Sequence, residues 1–387
     1  MVDRLSLPPV HVRSGHRWPR FLGLALAVGC GLGPTSVALA KKPVSSAPRV
    51  PKGFTIQELA AAPKGASNCD DLAALDGHLF MTCQNVTQSV GGGANSTIVE
   101  YTGGGGLVAT WSIADKADGI TGDPLHHRLI VTLNEDGATH LATLTPSAPA
   151  GQQVTNYRYS VNPASPTLTG PLHTGGGTDA VSVDSRGRIY ISASYGIAKT
   201  GTAVFKASLT APPTPGAAGL ATLAPTFLDN ATAAAGNPGG QSQALKLIDV
   251  DSNATVPYSS PRFGGQFVID DQTALELVFA SNLDAGTGLT VLKTSYGLDD
   301  LRFTTNDGGT MFVVDKGPAS TGASALYKVT GPFVAGTALA SNHSIPNQVV
   351  TINLANGKLK PFVQNLQTAK GLVYLDQAGA EPVLSLG

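Results

Sequence analysis

The feature that most constrains this chain is a recurring pattern. An aspartate, a small or acidic residue, an apolar strand, a turn and a second β-branched or aromatic strand follow one another again and again. The copies read DDLAALDGHLFMT (70–82), DGITGD…HRLIVT (118–132), DAVSVDSRGRIYIS (179–192) and DDLRFTTNDGGTMFVV (299–314). KGLVYLDQAGAEPVLSL (370–386) repeats the pattern with lysine at its head, and DSNATV (251–256) opens a fainter copy whose second strand is FGGQFVID (263–270). First positions are spaced 48, 61, 72, 48 and 71 residues apart. A repeat of this kind cannot bury its apolar face alone, so it must stack on its neighbours.

Each interval holds two further strand candidates after the Asp-led hairpin. They include STIVEYT (96–102) with LVATWSI (107–113), HLATLTP (140–146) with VTNYRYSV (154–161), and AVFKASL (203–209) with TLAPTFL (222–228). LELVFAS (275–281) with LTVLKTS (289–295), and QVVTINL (348–354) with KLKPFVQ (358–364), complete the set. Four short antiparallel strands per repeat make a propeller blade. The last copy has room for two strands, and FTIQELA (54–60) has no inner partner. Both are explained if the N-terminal strand completes the blade begun at residue 370, which removes an exposed edge. The expected fold is therefore all-β: a six-bladed β-propeller of four-stranded antiparallel blades over residues 54–387, its ring closed by the N-terminal strand.

Composition agrees. Only 13% of the 387 residues are charged, 46 are glycine and 42% are hydrophobic, which suits many tight turns around an ample core rather than long helices. Residues 1–40 read as a secretory signal peptide: Arg13, Arg17 and Arg20 precede FLGLALAVG (21–29), and Ala38-Leu39-Ala40 supplies the cleavage pattern. The alternative is AVGC (27–30), a lipobox-like run that would anchor an envelope lipoprotein at Cys30. Residues 41–53 read as a Pro/Ser/Lys linker. The leader holds four arginines and one aspartate, so the chain beyond Ala40 keeps 21 basic and 25 acidic residues, a net of −4. That balance offers no basic stripe for nucleic acid, and no later segment is apolar enough to span a membrane. The partner expected is a protein or a small-molecule ligand, and the chain is expected to be a monomer.

VSVDSRGRIYISASYG (181–196) and LRFTTNDGGTMFVVDK (301–316) resemble blades of the NHL, gluconolactonase and strictosidine-synthase-like group, in which a D-x-x-G turn joins two strands. The resemblance implies a six-bladed propeller over residues 54–387. For the gluconolactonase-like enzymes it also implies a divalent metal held by Glu, Asn and Asp from different blades. No Glu stands at the start of the first blade here, and Asn68 and Asn253 are the loosely placed candidates.

In a propeller the innermost strands line the channel and the loops entering them surround one mouth. The repeat thus sets Asp70, Asp118, Asp179, Asp251, Asp299 and Lys370 around one opening, with Asp71 and Asp300 adding charge from second positions. One reading is a cation site, since hard oxygen ligands suit Ca²⁺, serving either a non-catalytic binding module or a metal-dependent lactonase-like hydrolase. The other is structural: each Asp accepts backbone N–H bonds where the chain turns into the inner strand. As neighbours on a strand, Asp70 and Asp71 are expected to face different ways.

Cys69 and Cys83, in an exported chain, are expected to pair. A two-residue turn at Asp76-Gly77 sets Cys69 opposite Gln84, so the disulfide demands a bulge or a three-residue loop. Other motifs are absent or weak. There is no G-x-S-x-G elbow, no C-x-x-C, and the Gly runs at 91–93, 103–106 and 175–177 lack the ending of a phosphate loop. His126 and His127, adjacent on the chain, cannot easily share a metal. His78, His140, His173 and His343 are scattered singly. Residues 210–221, 229–243 and 331–347 read as long insertions, either binding loops or decoration.

Overall fold

The computed structural model describes residues 47–160, 176–194, 201–214, 216–318, 322–342 and 346–386. The leader, Cys30, His173 and His343 lie outside them. Every described element is a strand. Among the described residues no helix is long and apolar enough to cross a membrane.

The chain enters with β1 (Thr55–Ala61) and then lays down four-stranded antiparallel units. The first is β2 (Cys69–Leu75), β3 (His78–Cys83), β4 (Ser96–Thr102) and β5 (Leu107–Ile113). The second is β6 (Ala117–Asp123), β7 (Arg128–Leu133), β8 (His140–Leu144) and β9 (Val154–Tyr159). The third is β10 (Gly177–Val183), β11 (Ile189–Ser194), β12 (Thr202–Thr210) and β13 (Gly219–Leu228). A short parallel pairing of β13 with β9 joins these two into one eight-stranded sheet. Two short strands, β14 (Thr232–Ala235) and β15 (Gln243–Ala244), add to the outer edge of the fourth unit. That unit is β16 (Ser252–Thr255), β17 (Phe267–Asp271), β18 (Glu276–Asn282) and β19 (Thr287–Lys293).

The remaining strands exchange between two units. β20 (Leu301–Phe303) pairs with β23 (Ala338–Asn342), followed by β24 (Gln348–Asn353) and β25 (Lys358–Gln364). The intervening β21 (Thr310–Asp315) and β22 (Ala325–Thr330) pair instead with β26 (Ala369–Leu375) and β1. The N-terminal strand therefore closes the sheet that holds the last strand, as the repeat predicts. The expected hairpin over 299–314 does not form, and residues 382–386 are not a strand. The TTNDGG turn explains the exchange. Gly309 donates its N–H to the Tyr374 hydroxyl at 2.9 Å, and a Cβ there would lie 2.3 Å from the Leu375 carbonyl. Only glycine lets the chain dock onto β26 and leave its own unit. The same exchange turns part of the expected 331–347 insertion into β23, and β14 and β15 occupy part of 229–243.

The inner strands β2, β6, β10, β16, β20 and β26 touch in that order, and β26 returns to β2. One apolar cluster lies between each neighbouring pair of units. Phe80, Ile120 and Val131 fill the first gap, for example, while Phe312, Val373 and Leu72 fill the last. Face-to-face burial of both sides of each sheet explains the near-continuous apolar runs in second strands such as MFVV and RLIV.

The register of the inner strands breaks where the acids stand. Bulges fall between Cys69 and Leu72, Ala117 and Ile120, and Thr178 and Val181. Asp76-Gly77 is a two-residue turn with both φ positive (50° and 81°). The first bulge then moves Cys69 from opposite Gln84 to opposite Cys83, with Cα atoms 3.7 Å apart, and the disulfide forms. In the stretch expected as linker, Arg49 pairs its backbone with Gln364 at 3.0 Å and 2.9 Å, and Val50 packs against the apolar cluster between the fifth and sixth units.

Candidate functional site

The inner strands converge on a central cavity of about 350 Å³. Asp70, Asp118, Asp179, Asp251, Asp299 and Lys370 line it, and so do Asp71 and Asp300. Asp70 and Asp71 both border the cavity, but their carboxylates go different ways, Asp70 to cavity side chains and Asp71 to backbone N–H groups at the seam with the next unit. They hold different partners and do not act as a dyad.

The two positions do different work. Asp71 Oδ1 accepts from Leu72 N at 2.7 Å, and Oδ2 accepts from Ile120 N of the next unit at 2.8 Å. Asp300 repeats the arrangement, taking Leu301 N at 2.8 Å and Leu372 N of the next unit at 2.5 Å. Ser252 plays the same part with a hydroxyl, accepting from Leu301 N at 3.0 Å. In the first, fourth and fifth units the second-position side chain therefore stitches the unit to its successor. Where that position is Gly119 or Gly371, a Cβ would lie 2.5 Å from the Asp179 carbonyl or 2.6 Å from Leu72 N, so the strands meet directly. Burial first, and the Asp300 charge second, push the Asp71 carboxyl well above its usual range. Burial also raises Asp300, with Arg302 opposing.

First positions face the cavity, and most are paired. Lys370 bridges Asp70 at 3.2 Å and also bonds Asp299. Lys316 lies 3.4 Å from Asp70 and donates to Gln84 Oε1 at 3.1 Å. Gln84 in turn donates to Asp118 at 2.9 Å and to Asp70. Lys116 lies 3.5 Å from Asp118 and bonds Glu135. Burial opposes ionisation of Asp70, but Lys370, Lys316 and Lys116 outweigh it and hold the carboxyl below its usual range.

The other side of the ring is different. Among the described residues no salt bridge reaches Asp179, Asp249 or Asp251, and each offers an oxygen within 4.8 Å of the others. Asp118, Glu135 and Asp179 form a second such group around the same Asp179, but there Lys116 already supplies charge. Asp179 is 5% exposed, and its Oδ2 is buried without a hydrogen-bond partner. Burial first, then Asp118 and Asp251, push its carboxyl well above the usual range. Burial, Asp299 and Asp249 do the same to Asp251. Ser194 adds a hydroxyl 3.2 Å from Asp249. An all-oxygen set with an orphaned buried carboxylate oxygen fits a hard cation.

Several lining residues escaped sequence reading: Gln84, Lys116, Glu135, Asp249, Gln272 and Lys316. Two signals were available. Lys116 and Asp249 stand two residues before a ring aspartate (KAD, DVD), on the same side of the strand. Gln84, Ser194, Gln272 and Lys316 each stand two residues after the second-strand position occupied by Thr82, Ser192, Asp270 and Val314. His126 and His127 bond different carboxylates, Asp123 at 2.8 Å and Asp76 at 2.9 Å.

Radial four-stranded sheets around an acid-lined cavity define a β-propeller-like protein. Neither a family profile nor a curated protein matches the sequence. Among solved structures, a chain of a nidogen–laminin complex is similar over 79% of this chain and 84% of its own, at 13% identity and a TM-score of 0.45. A protein of unknown function from Bacteroides caccae is similar over 81% and 88%, at 11% identity and a TM-score of 0.40.

Proposed function

We propose that the protein is an exported six-bladed β-propeller acting as a non-catalytic binding module, with a hard divalent cation, Ca²⁺ foremost, held at the acidic mouth by Asp179, Asp249 and Asp251. The observation that carries this reading is the asymmetry of the ring. Three lysines serve the carboxylates of the first, second and fifth units, whereas the third and fourth bring three carboxylates together with no salt bridge among the described residues. Ten carboxyl groups and four cationic side chains line the cavity, a formal excess of six negative charges. Low-dielectric walls focus that field and draw cations inward. A bound Ca²⁺ needs more oxygens than three side chains supply, and the open cavity leaves those positions to water or to a polar ligand. The ion is thus the natural hook for the unidentified protein or small molecule.

The disulfide is compatible with an extracellular or periplasmic location. The hydrolase alternative keeps the same ion, and its signature is lactone turnover that depends on Asp179. The lipoprotein alternative rests on Cys30, and an intact mass beginning at Lys41 ends it. Thermal melting in EDTA and in Ca²⁺, Mn²⁺ and Zn²⁺ tests the module. A cation at a hundred times its Kd adds about 2.7 kcal/mol, and Asp179→Asn removes the gain. Melting that no divalent ion alters counts against the reading.

A further inference from the structure

The channel has a second mouth, where the inner strands end. The two ends share Arg302, Asn253 and Val181 as a narrowing. Beyond it lies a pocket of about 260 Å³ with Leu75, Val183, Phe303 and Tyr374 in its walls. The chain itself crosses this opening. After β26 ends at Leu375, Asp376 caps a turn by accepting from Ala378 N at 2.8 Å and Ala380 N at 3.0 Å. Glu381 then reaches the first unit, where its Oε2 accepts from Ala74 N at 3.2 Å, and its Oε1 lies 4.0 Å from Arg302 Nε of the fifth. Leu384 accepts from Ser185 N at 3.1 Å, and Leu386 is buried in the cluster between the third and fourth units. The segment therefore runs from the sixth unit to the third, straight across the ring.

We propose that this second mouth is a carboxylate-binding pocket that the chain closes with its own C-terminal strap, Glu381 holding the place that a ligand carboxylate takes when the strap lifts. Three observations carry the proposal. Arg302 Nε is buried without a hydrogen-bond partner, although Nη1 of the same guanidinium donates to Asp300 at 2.7 Å and to the Leu301 carbonyl at 3.0 Å. At 4.0 Å the Glu381 carboxylate neutralises that edge without bonding it, because the strap is tethered on both sides. An untethered carboxylate can close the gap and satisfy Nε and Ala74 N–H together, relieving the cost of a buried unpaired donor. Finally, residues 376–386 belong to no strand, so a few contacts hold them, and they open more cheaply than any blade. The apolar walls suit a short aliphatic body behind the carboxylate.

The test uses the full chain and succinate, read by isothermal titration at fixed ionic strength. Glu381→Gln keeps the shape of the strap and removes its charge. That chain is expected to bind succinate at least tenfold more tightly than the native one, and Arg302→Lys in the same background is expected to lose the gain, since lysine lacks the fork. Equal affinity for the native and Glu381→Gln chains, or binding to neither, overturns the proposal. Should Arg302→Lys fail to fold, a cysteine placed at Ala254 in the pocket wall reports instead. It should react with a thiol reagent at least tenfold faster in the Glu381→Gln background and be slowed again by succinate. Equal rates in the two backgrounds, or no slowing by succinate, overturn it.

Discussion

Asp71 shows why a carboxylate at a channel mouth need not be chemistry. It occupies the second position of its repeat and spends both oxygens on backbone N–H groups, one of them in the next unit. Asp71→Ala leaves the Leu72 and Ile120 donors unpaired and is expected to cost about 3 kcal/mol in urea unfolding, with Asp71→Asn recovering at most part of it, since its single carbonyl oxygen can accept from only one of the two N–H groups. Asp270 is the opposite case. In the first, second, third and fifth units the equivalent position carries Thr82, Thr132, Ser192 and Ser341, whose hydroxyls bond the inner strand. In the fourth unit it is an aspartate, 1% exposed, with both oxygens unpartnered. Burial first, then Asp251 and Asp299, raise its pKa well above 3.8. With the folded pKa above the unfolded one, the carboxyl's contribution is fully present below about pH 4 and is lost as pH rises towards the folded value. Asp270→Thr should therefore stabilise the chain by about 1 kcal/mol or more at pH 8 and by less at pH 4. An equal gain at both pH values would show that Asp270 does not titrate differently in the folded chain. These roles could not be read from the sequence, where DD at 70–71 and at 299–300 look alike at both positions and only the bulge assigns one acid to the seam and the other to the cavity.

At the scale of the element, the inner-strand bulge is the recurrent device. It aims the first-position side chain into the cavity, and in the first unit it also sets the register of the disulfide. The Cys spacing demanded either this bulge or a three-residue loop, and the two-residue turn at Asp76-Gly77 decides for the bulge. Replacing Cys69 and Cys83 with alanine, a pair separated by 14 residues, is expected to cost about 3 kcal/mol through the loop they close. Unfolding with and without reductant checks the figure, and native stability in the double variant would contradict it. The exchange of β21 and β22 was not legible. LRFTTNDGGTMFVV has the composition of a hairpin, and the reason it is not one lies about 65 residues away, where Tyr374 accepts the Gly309 N–H. Local pattern specifies that strands exist, whereas pairing partners are chosen by contacts the pattern does not contain. The ALASN run of β23 was hidden for a related reason: its small residues look like a loop until the ring around them is closed.

For the whole molecule, the repeat gave the closure at the N-terminal strand and brought all eight acid or lysine positions to one cavity. It could not reveal the cavity's electrical asymmetry. Lys116 and Lys316 enter from positions outside the Asp-led motif, and it is their placement on one side that leaves Asp179, Asp249 and Asp251 with no salt bridge among the described residues. The most direct measurement is the anomalous difference density of crystals grown with Mn²⁺, an oxygen-seeking ion that can report a Ca²⁺ site. The prediction is a peak bounded by the carboxylates of Asp179, Asp249 and Asp251 in the native chain, absent in Asp179→Asn. A cavity without a peak at saturating Mn²⁺, or a peak elsewhere on the ring that Asp179→Asn leaves in place, would contradict it.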